Sequence, residues 1–242
     1  MRILIVNDDG MGAAQLPNLI RWARKLGEVT AVVPKFEQSA KSHSLNTQQD
    51  FEAKQVPLAE DITIWAVDAT PAHCVQFAVL GLNMEFDLCV SGVNIGYNMG
   101  RDLMYSGTVA AASEAVNQGI PAIALSTSYT CYDRATEELD RIFAFIRSHG
   151  LMDVNNFYNV NIPPQPKGIK ITSQGGLYLS EDFLPVGENL YRPKGKSAWV
   201  DSGDDTIDLD ATKHGYITIT PLQLDRTNRA AFEKLRRLRE NM

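Results

Sequence analysis

Short apolar runs alternate with segments of helical period over the first 160 positions of the chain. This alternation is typical of strands joined by crossover helices, so it predicts a mostly parallel sheet flanked by helices, an α/β fold. The predicted strands are 2–6, 29–33, 62–67, 87–91, 122–126 and 158–162, and the predicted helices are 16–26, 71–82, 108–117 and 136–148.

The pattern changes after Pro163 and Pro164 to short β-like pieces separated by turn residues. We expect β-hairpins there that extend the core, with a strand at 216–220 that returns to it. The tail has apolar residues at helical spacing, which predicts a helical arm packed on its own core or on a second subunit rather than a nucleic-acid arm. These apolar residues are Ala231, Phe232, Leu235, Leu238 and Met242. The predicted division is a core over 1–163, a β-rich extension over 164–225 and the arm over 226–242.

Charge and cysteine content narrow the classes of partner. The 242 residues include 23 basic and 29 acidic side chains, and the net charge of -6 offers no positive field for nucleic acid. The first apolar run is too short for a secretory signal, and no segment approaches the roughly 18 apolar residues of a membrane-spanning helix. The three cysteines lack CxxC spacing, which argues against disulfides and a thiolate zinc site. We therefore expect a cytoplasmic protein without a membrane or a stable nucleic-acid partner.

Asp8 and Asp9 follow directly on the first predicted strand, where an open parallel sheet has its ligand crevice. Two adjacent carboxylates converge on one ion only if the chain turns there, and Gly10 supplies such a turn. A hard divalent cation would relieve the repulsion between them. The pair fits a metal site and a helix cap about equally well, because Asp is also a good N-cap residue.

Two further segments are suited to bind an anion or a cation. The loop 91–100 carries Asn94 and Asn98 among glycines, although turn formation explains the same composition. Ser106, Gly107 and Thr108 open the helix 108–117, where free N–H groups form a natural phosphate seat or a plain N-cap. The chain has neither a GxxxxGK[ST] pattern nor a GxGxxG after the first strand, which disfavours an NTPase or a dinucleotide oxidoreductase.

The loop after the second predicted strand carries Ser39 and His43. The loop should lie beside the crevice at the end of the first strand, so Ser39 could supply a hydroxyl ligand and His43 could transfer a proton near neutral pH. His73 and His214 fall in a predicted helix and a turn, where a structural role is the simpler interpretation.

These segments together resemble the SurE (survival protein E) family of metal-dependent nucleotidases. The resemblance spans nearly the whole chain, and its long central block is highly specific. The matching blocks are ILIVNDDG at the start, VPKFEQSAKSH at 33–43, TPAHCV at 70–75, SGVNIGYNMGRDLMYSGTVAAASEA at 91–115, YNVNIP at 158–163 and GYITITPLQLD at 215–225.

The resemblance implies hydrolysis of nucleoside 5′- and often 3′-monophosphates with one Mg²⁺ or Mn²⁺ per subunit. It also implies a Rossmann-like core and a C-terminal arm that exchanges between subunits of a homodimer or homotetramer. The implied metal ligands are Asp8, Asp9, Ser39 and Asn94. The implied phosphate-side residues are Asn98, Ser106, Gly107 and Thr108.

The corresponding mechanism is attack of a metal-activated water on phosphorus, with either Asp9 or His43 as the acceptor of the proton. The chain departs from the family pattern at Ala40, where glycine is usual, and at His73, where aspartate is usual. Neither departure removes an implied metal ligand. Because glycine is conformationally freer, Ala40 implies a different backbone conformation in the loop that presents Ser39.

Two alternatives belong to other classes. A haloacid-dehalogenase-like phosphatase also has an aspartate after its first strand, but it needs a second Asp two residues later, whereas Asp8 and Asp9 are adjacent. A noncatalytic nucleotide-binding sensor would keep the anion pocket without turnover.

Overall fold

A nine-stranded mixed sheet forms the centre of the fold in the computed structural model, which describes residues 1–238. Two further strands pair as a separate antiparallel hairpin. In chain order the strands are β1 (Arg2–Val6), β2 (Glu28–Pro34), β3 (Ala53–Ala59), β4 (Ile62–Val67), β5 (Leu88–Ile95), β6 (Ala122–Thr127), β7 (Phe157–Ile162), β8 (Ile169–Ile171), β9 (Leu179–Gly187), β10 (Leu190–Ser197) and β11 (Ile217–Pro221).

The middle of the sheet is parallel, in the order β4-β2-β1-β5-β6-β7. At one edge β3 pairs antiparallel with β4, with a register shift between Pro57 and Ala59. At the other edge β11 is antiparallel to β7, and the short β8 lies outside it. Because parallel strands end at the same side of a sheet, the segments after β1, β2 and β5 meet there. The mostly parallel α/β fold predicted from the pattern is confirmed.

Helices cover both faces of the sheet. They are α1 (Leu16–Ala23), α2 (Pro71–Gln76), α3 (Gly107–Asn117), α4 (Leu139–Ser148), α5 (Leu151–Val154), α6 (Asp208–Lys213) and α7 (Arg229–Arg236), with a π-helical turn at Phe77–Gly81 after α2 and 3₁₀ turns at Gly100–Tyr105 and Tyr132–Arg134. Alternate residues of β1 serve opposite faces, since Ile3 and Ile5 pack with α1 and α4, whereas Leu4 and Val6 pack with α2 and α3.

The structure differs from the predicted elements mainly at element ends and at the edge of the sheet. The first helix stops at Ala23 rather than at residue 26, since the amide of Lys25 bonds to Trp22 in a tighter terminal turn. The fourth predicted helix begins at Leu139 instead of residue 136. β3 was not predicted because this edge strand includes the exposed polar residues Lys54 and Gln55.

The segment after Pro163 contains two kinds of β-structure. β11 returns to the main sheet as predicted for 216–220, while β9 and β10 form a hairpin whose residues are almost all exposed. α7 lies within the predicted arm, and Met242 falls outside the described residues. None of the helices in residues 1–238 combines the length and the apolar character needed to cross a bilayer. The predicted division at 163 and 225 stays a prediction.

Candidate functional site

A cavity of about 730 Å³ opens at the side of the sheet where β1 and β5 end. Five residues that the sequence singled out contribute to its wall: Asp8, Ser39, Asn94, Asn98 and Ser106. They come from separate segments of the chain, after β1, after β2, from the end of β5 and its following loop, and from the start of α3. Within residues 1–238 the lining omits four other predicted site residues, Asp9, His43, Gly107 and Thr108.

Asp8 is buried at the end of β1 and faces the start of α3. Its carboxylate accepts a short hydrogen bond from the Thr108 hydroxyl, and the Thr108 backbone N–H bonds to the same group. Burial raises the pKa of Asp8, although these hydrogen bonds oppose the shift. Gly107 packs so closely that an added Cβ would lie 2.8 Å from the Asp8 Cβ. Gly107 and Thr108 therefore contact Asp8 from the start of α3.

Asp9 is half-buried and accepts a hydrogen bond from the Ile95 backbone N–H at 3.2 Å, which joins the ends of β1 and β5. Burial and the neighbouring Asp8 carboxylate raise the pKa of Asp9 to about 7. Just before the pair, Asn7 donates its Nδ2 to the Gly10 carbonyl at 2.9 Å, and its buried side-chain oxygen has no hydrogen-bond partner among residues 1–238. Two adjacent carboxylates that repel each other give this end of β1 a negative potential when both are ionised.

The loop after β5 is held by side chains of the neighbouring strands. Asn94 donates Nδ2 to the Gly96 carbonyl at 2.7 Å, which leaves its side-chain oxygen available as a ligand. The Asn98 amide group donates to Ser126 Oγ at 2.8 Å. The backbone of Asn98 is bonded by Asn159 and Asn161 of β7, with three hydrogen bonds of 2.8–3.0 Å. These two residues lie on one face of a strand.

Asn159 and Asn161 were not predicted as site residues, although both lie within the YNVNIP block that supports the resemblance. Their spacing was the signal available in the sequence, because two side chains that are two residues apart in a strand point to the same face of the sheet. Ser106 caps α3, since its Oγ accepts the Val109 N–H at 3.1 Å. The hydroxyl hydrogen of Ser106 stays free to be donated to a ligand in the cavity.

The loop that presents Ser39 differs from the residues at the strand ends in its exposure and in its backbone conformation. Ser39 is exposed and donates its hydroxyl to Glu37 Oε1 at 2.6 Å. Ala40 and Ser42 both have positive φ values, 57° and 53°, in the left-handed region that favours glycine. Ala40 thus adopts a conformation that glycine would adopt with less strain. Ser42 anchors the loop to the turn before α3, because its Oγ donates to the Met104 carbonyl at 2.6 Å.

His43 contacts a carboxylate that was not predicted from the sequence. Its Nε2 lies 2.8 Å from Oε2 of Glu114, a side chain of α3 that is 3% exposed. Burial of Glu114 disfavours ionisation, but hydrogen bonds from His43, Gln118 and Gln76 outweigh it and lower the pKa of Glu114 to about 2. Glu114 is therefore ionised at neutral pH and holds the Ser39 loop against α3.

The four residues that the resemblance implies as metal ligands offer only oxygen donors, the type that a hard divalent cation such as Mg²⁺ or Mn²⁺ prefers. Asp8, Ser39 and Asn94 line the cavity, and Asp9 lies beside Asp8 outside the lining. Burial is the main reason why the pKa values of both aspartates are raised, and a bound cation would favour their ionised forms. In the described part of the chain, no group of three or more His, Cys, Asp or Glu side chains could hold a metal. Hydroxyl and amide oxygens would have to complete the coordination.

Comparison with known proteins identifies relatives over nearly the full chain. A family model described as Survival protein SurE matches residues 3–181. The 5′-nucleotidase SurE of Gemmatimonas aurantiaca is 42% identical over 246 residues, which cover 95% of this chain and 95% of that protein. The 5′-nucleotidase SurE of Pelotomaculum thermopropionicum is 36% identical over 246 residues, which cover 98% and 95%.

A solved structure agrees with the sequence matches. The SurE protein from Aquifex aeolicus superimposes with a TM-score of 0.78 at 30% identity, over 99% of this chain and 100% of that chain. The parallel sheet, the cavity at the ends of β1 and β5 and the sequence matches all agree, and the chain belongs to the SurE family.

Proposed function

We propose that this protein is a divalent-metal-dependent phosphomonoesterase that hydrolyses nucleoside 5′-monophosphates, and also 3′-monophosphates, to nucleoside and phosphate. One observation carries the proposal: the paired aspartates after β1 adjoin a cavity that Asn98 and the helix-capping Ser106 also line. In the proposed reaction, the aspartates would serve as cation ligands next to donors that bind the phosphate. The relatives from Gemmatimonas aurantiaca and Pelotomaculum thermopropionicum are both named 5′-nucleotidase SurE, which supports the 5′-monophosphate substrate.

Asp8, Asp9, Ser39 and Asn94 would hold one Mg²⁺ or Mn²⁺ per subunit. When bound, the cation would neutralise phosphate charge and lower the pKa of a coordinated water. Ser39 sits on the exposed loop, so its hydroxyl would have to exchange its bond with Glu37 for the cation. The other three ligands are held by the sheet and by the loop that follows β5.

The phosphate oxygens would be bound on the opposite side of this ligand set. Asn98 has an amide N–H beyond the one that bonds Ser126, and Ser106 has its free hydroxyl hydrogen. The first N–H groups of α3, at Gly107 and Thr108, add the positive end of the helix dipole. Since Thr108 already donates to Asp8, its main contribution would be to orient that carboxylate.

Asp9 and His43 are the two candidate acceptors of the proton that the attacking water loses. His43 has one ring nitrogen bonded to Glu114, and within residues 1–238 it is not part of the cavity wall. Asp9 adjoins Asp8 in the chain and faces the end of β5. Since Asp9 is also outside the cavity wall, both residues stay candidates for proton transfer, and the bond to Glu114 gives His43 a further role in holding the loop.

The test is phosphate release from a panel of nucleoside 5′- and 3′-monophosphates, measured with Mg²⁺, with Mn²⁺ and with excess EDTA. We expect release that requires a divalent cation and is lost in EDTA. Nucleotide binding without metal-dependent release would contradict the proposal and would indicate a sensor. Release that persists in EDTA would contradict the role of the cation.

We further propose that the protein is a homodimer or homotetramer whose C-terminal arms exchange between subunits. Phe232, Leu235 and Leu238 are all exposed on or just after α7, and their burial against a second copy would stabilise it. Light scattering coupled to size exclusion should show a smaller particle after replacement of Phe232 and Leu235 by aspartate. A monomeric wild-type protein would contradict the proposal.

The cytoplasmic location expected from the sequence stays a prediction.

A further inference from the structure

Part of the cavity wall has no role in the proposed binding of metal and phosphate. These wall residues are Tyr105 before α3, Tyr129 after β6, and Leu177, Leu179, Ser180 and Glu181 around the start of β9. Asp102 also lines the cavity, and its carboxylate accepts a hydrogen bond from the Leu179 N–H at 2.8 Å. This part of the wall therefore combines aromatic and aliphatic side chains with two carboxylates, of which Asp102 is already bonded to the backbone of β9.

Tyr129 presents an open aromatic ring close to the polar end of the cavity. The hydroxyl end of the ring lies against Gly96, where an added Cβ would meet the Cε2 and hydroxyl oxygen atoms at 3.3 Å. Gly96 lies between Asn94 and Asn98, so the ring is adjacent to the proposed cation and phosphate ligands. The residue is nevertheless 74% exposed. A large exposed ring that is contacted at its hydroxyl end is an arrangement that a planar ligand group can stack on.

Glu181 adds a negative charge to the cavity wall, and this charge cannot help to bind a phosphate. It is exposed, and among the described residues no hydrogen bond or ion pair involves its side chain. Its register partner on β10 is Gly195, which has no side chain to pair with it. A free carboxylate repels a phosphate dianion, so in this cavity it would favour a ligand whose far end donates hydrogen bonds.

We propose that this wall is a guanine subsite, in which the base stacks on Tyr129 and donates its N1–H and 2-amino N–H to the Glu181 carboxylate. The proposal rests on the nucleotidase function proposed above and specifies its substrate class. Adenine presents an unprotonated N1 at the corresponding edge, where a carboxylate opposes another acceptor. A cavity of about 730 Å³ has room for a whole nucleotide.

Binding measurements test the subsite independently of turnover. Dissociation constants of GMP, AMP and ribose 5-phosphate are measured by calorimetry on the full chain with EDTA present. We expect GMP to bind about tenfold tighter than AMP, the scale of one two-point hydrogen-bonded pair. Glu181→Gln should remove this preference, and it should not weaken the binding of ribose 5-phosphate, since a lost negative charge does not disfavour a phosphate. Glu188→Gln, in the turn of the same hairpin, is the matched control and should keep the preference.

The stacking partner is tested by the same ligands. Tyr129→Ala should weaken the binding of GMP and AMP alike, by about tenfold, without affecting ribose 5-phosphate. Tyr129→Phe should restore both affinities, because the ring is kept. Tyr191→Ala is the matched control, since this tyrosine of β10 is 63% exposed and outside the cavity wall as described.

Equal affinities of wild-type protein for GMP and AMP would overturn the proposal. So would an effect of Glu181→Gln on ribose 5-phosphate as large as that on GMP, because the carboxylate would then bind the sugar. A protein that prefers GMP but releases no phosphate would refute the proposed function and support the subsite. Metal-dependent release with no base preference would support the proposed function and refute the guanine subsite.

Discussion

The two walls of the candidate site are held in different ways. On one side, called here the sheet wall, Asp8 and Asn98 line the cavity and are buried. We include in this wall three residues outside the lining: Thr108, which bonds to Asp8, Asn161, which bonds to Asn98, and Asp9, which bonds to Ile95 of β5. On the loop wall, Ser39 is exposed, and its hydroxyl bonds only to Glu37 of the same loop in the described structure. The sheet wall is formed by the fold itself, whereas the loop wall depends on a few anchoring bonds.

The two walls therefore differ in how easily their side chains can rearrange. Buried groups with several hydrogen bonds keep one arrangement, because each alternative leaves a polar atom unpaired. The loop reaches the rest of the protein mainly through Ser42, which bonds to Met104, and His43, which bonds to Glu114. Changes on the sheet wall should therefore affect catalysis or folding directly, and changes on the loop should have smaller effects.

The largest expected effect is on the sheet wall, from Asp9→Asn. The substitution keeps the shape but removes one of two adjacent negative charges, so phosphate release in excess Mn²⁺ should fall about a hundredfold or more. The measurement is initial rate at saturating nucleotide. The exposed Asp50→Asn serves as the control and should leave the rate unchanged. Near-wild-type turnover of Asp9→Asn would reject its assignment as a ligand.

The second-largest effect is expected on stability, from a substitution of Asn161, which bonds to the backbone of Asn98. Asn161→Ala would leave the Asn98 N–H without an acceptor and its carbonyl with one donor fewer. A buried unpaired group should lower the free energy of unfolding by about 1–3 kcal/mol, measured by urea denaturation. Asn18→Ala, an exposed control bonded to Gln15, should stay within about 0.5 kcal/mol of wild type. Equal losses in both variants would show that the bonds of Asn161 to Asn98 contribute no more to stability than an exposed hydrogen bond does.

A smaller effect is expected where the loop is anchored, from Glu114→Gln. The wild-type pKa of about 2 lies below the ordinary value of 4.5, so ionised Glu114 stabilises the fold above pH 4.5 and loses this contribution as the pH falls toward 2. The variant should be about 1–2 kcal/mol less stable at pH 7. The gap in melting temperature should narrow between pH 5 and pH 3. A gap that does not change with pH would show that the carboxylate charge is not what holds the loop.

The smallest effect is expected within the loop, from Ala40→Gly. Glycine adopts the left-handed conformation of Ala40 without strain, but it also makes the unfolded chain more flexible. The net gain in stability should be about 0.5 kcal/mol, measured by urea denaturation. Ala53→Gly, in the extended strand β3, should instead destabilise the protein. Destabilisation by both would show that the loop does not strain Ala40.

The sheet and the position of its cavity could be predicted because they follow from local patterns. Apolar runs and helical periods predict strand and helix order, and parallel strands then bring Asp8 and Asn94 to the same side. The partner of His43 could not be predicted, since Glu114 is 71 positions away in an alanine-rich helix that looked ordinary. Glu181 was missed for a related reason, because only tertiary structure brings β9 to the cavity.

The two edges of the main sheet are poor templates for an added strand. β3 carries Pro57, which has no N–H to donate, and a register shift interrupts it at that point. At the other edge, β8 is only three residues long. Short or interrupted edges disfavour the pairing of sheets from different molecules. Copies of this protein should therefore not associate by adding strands to the main sheet.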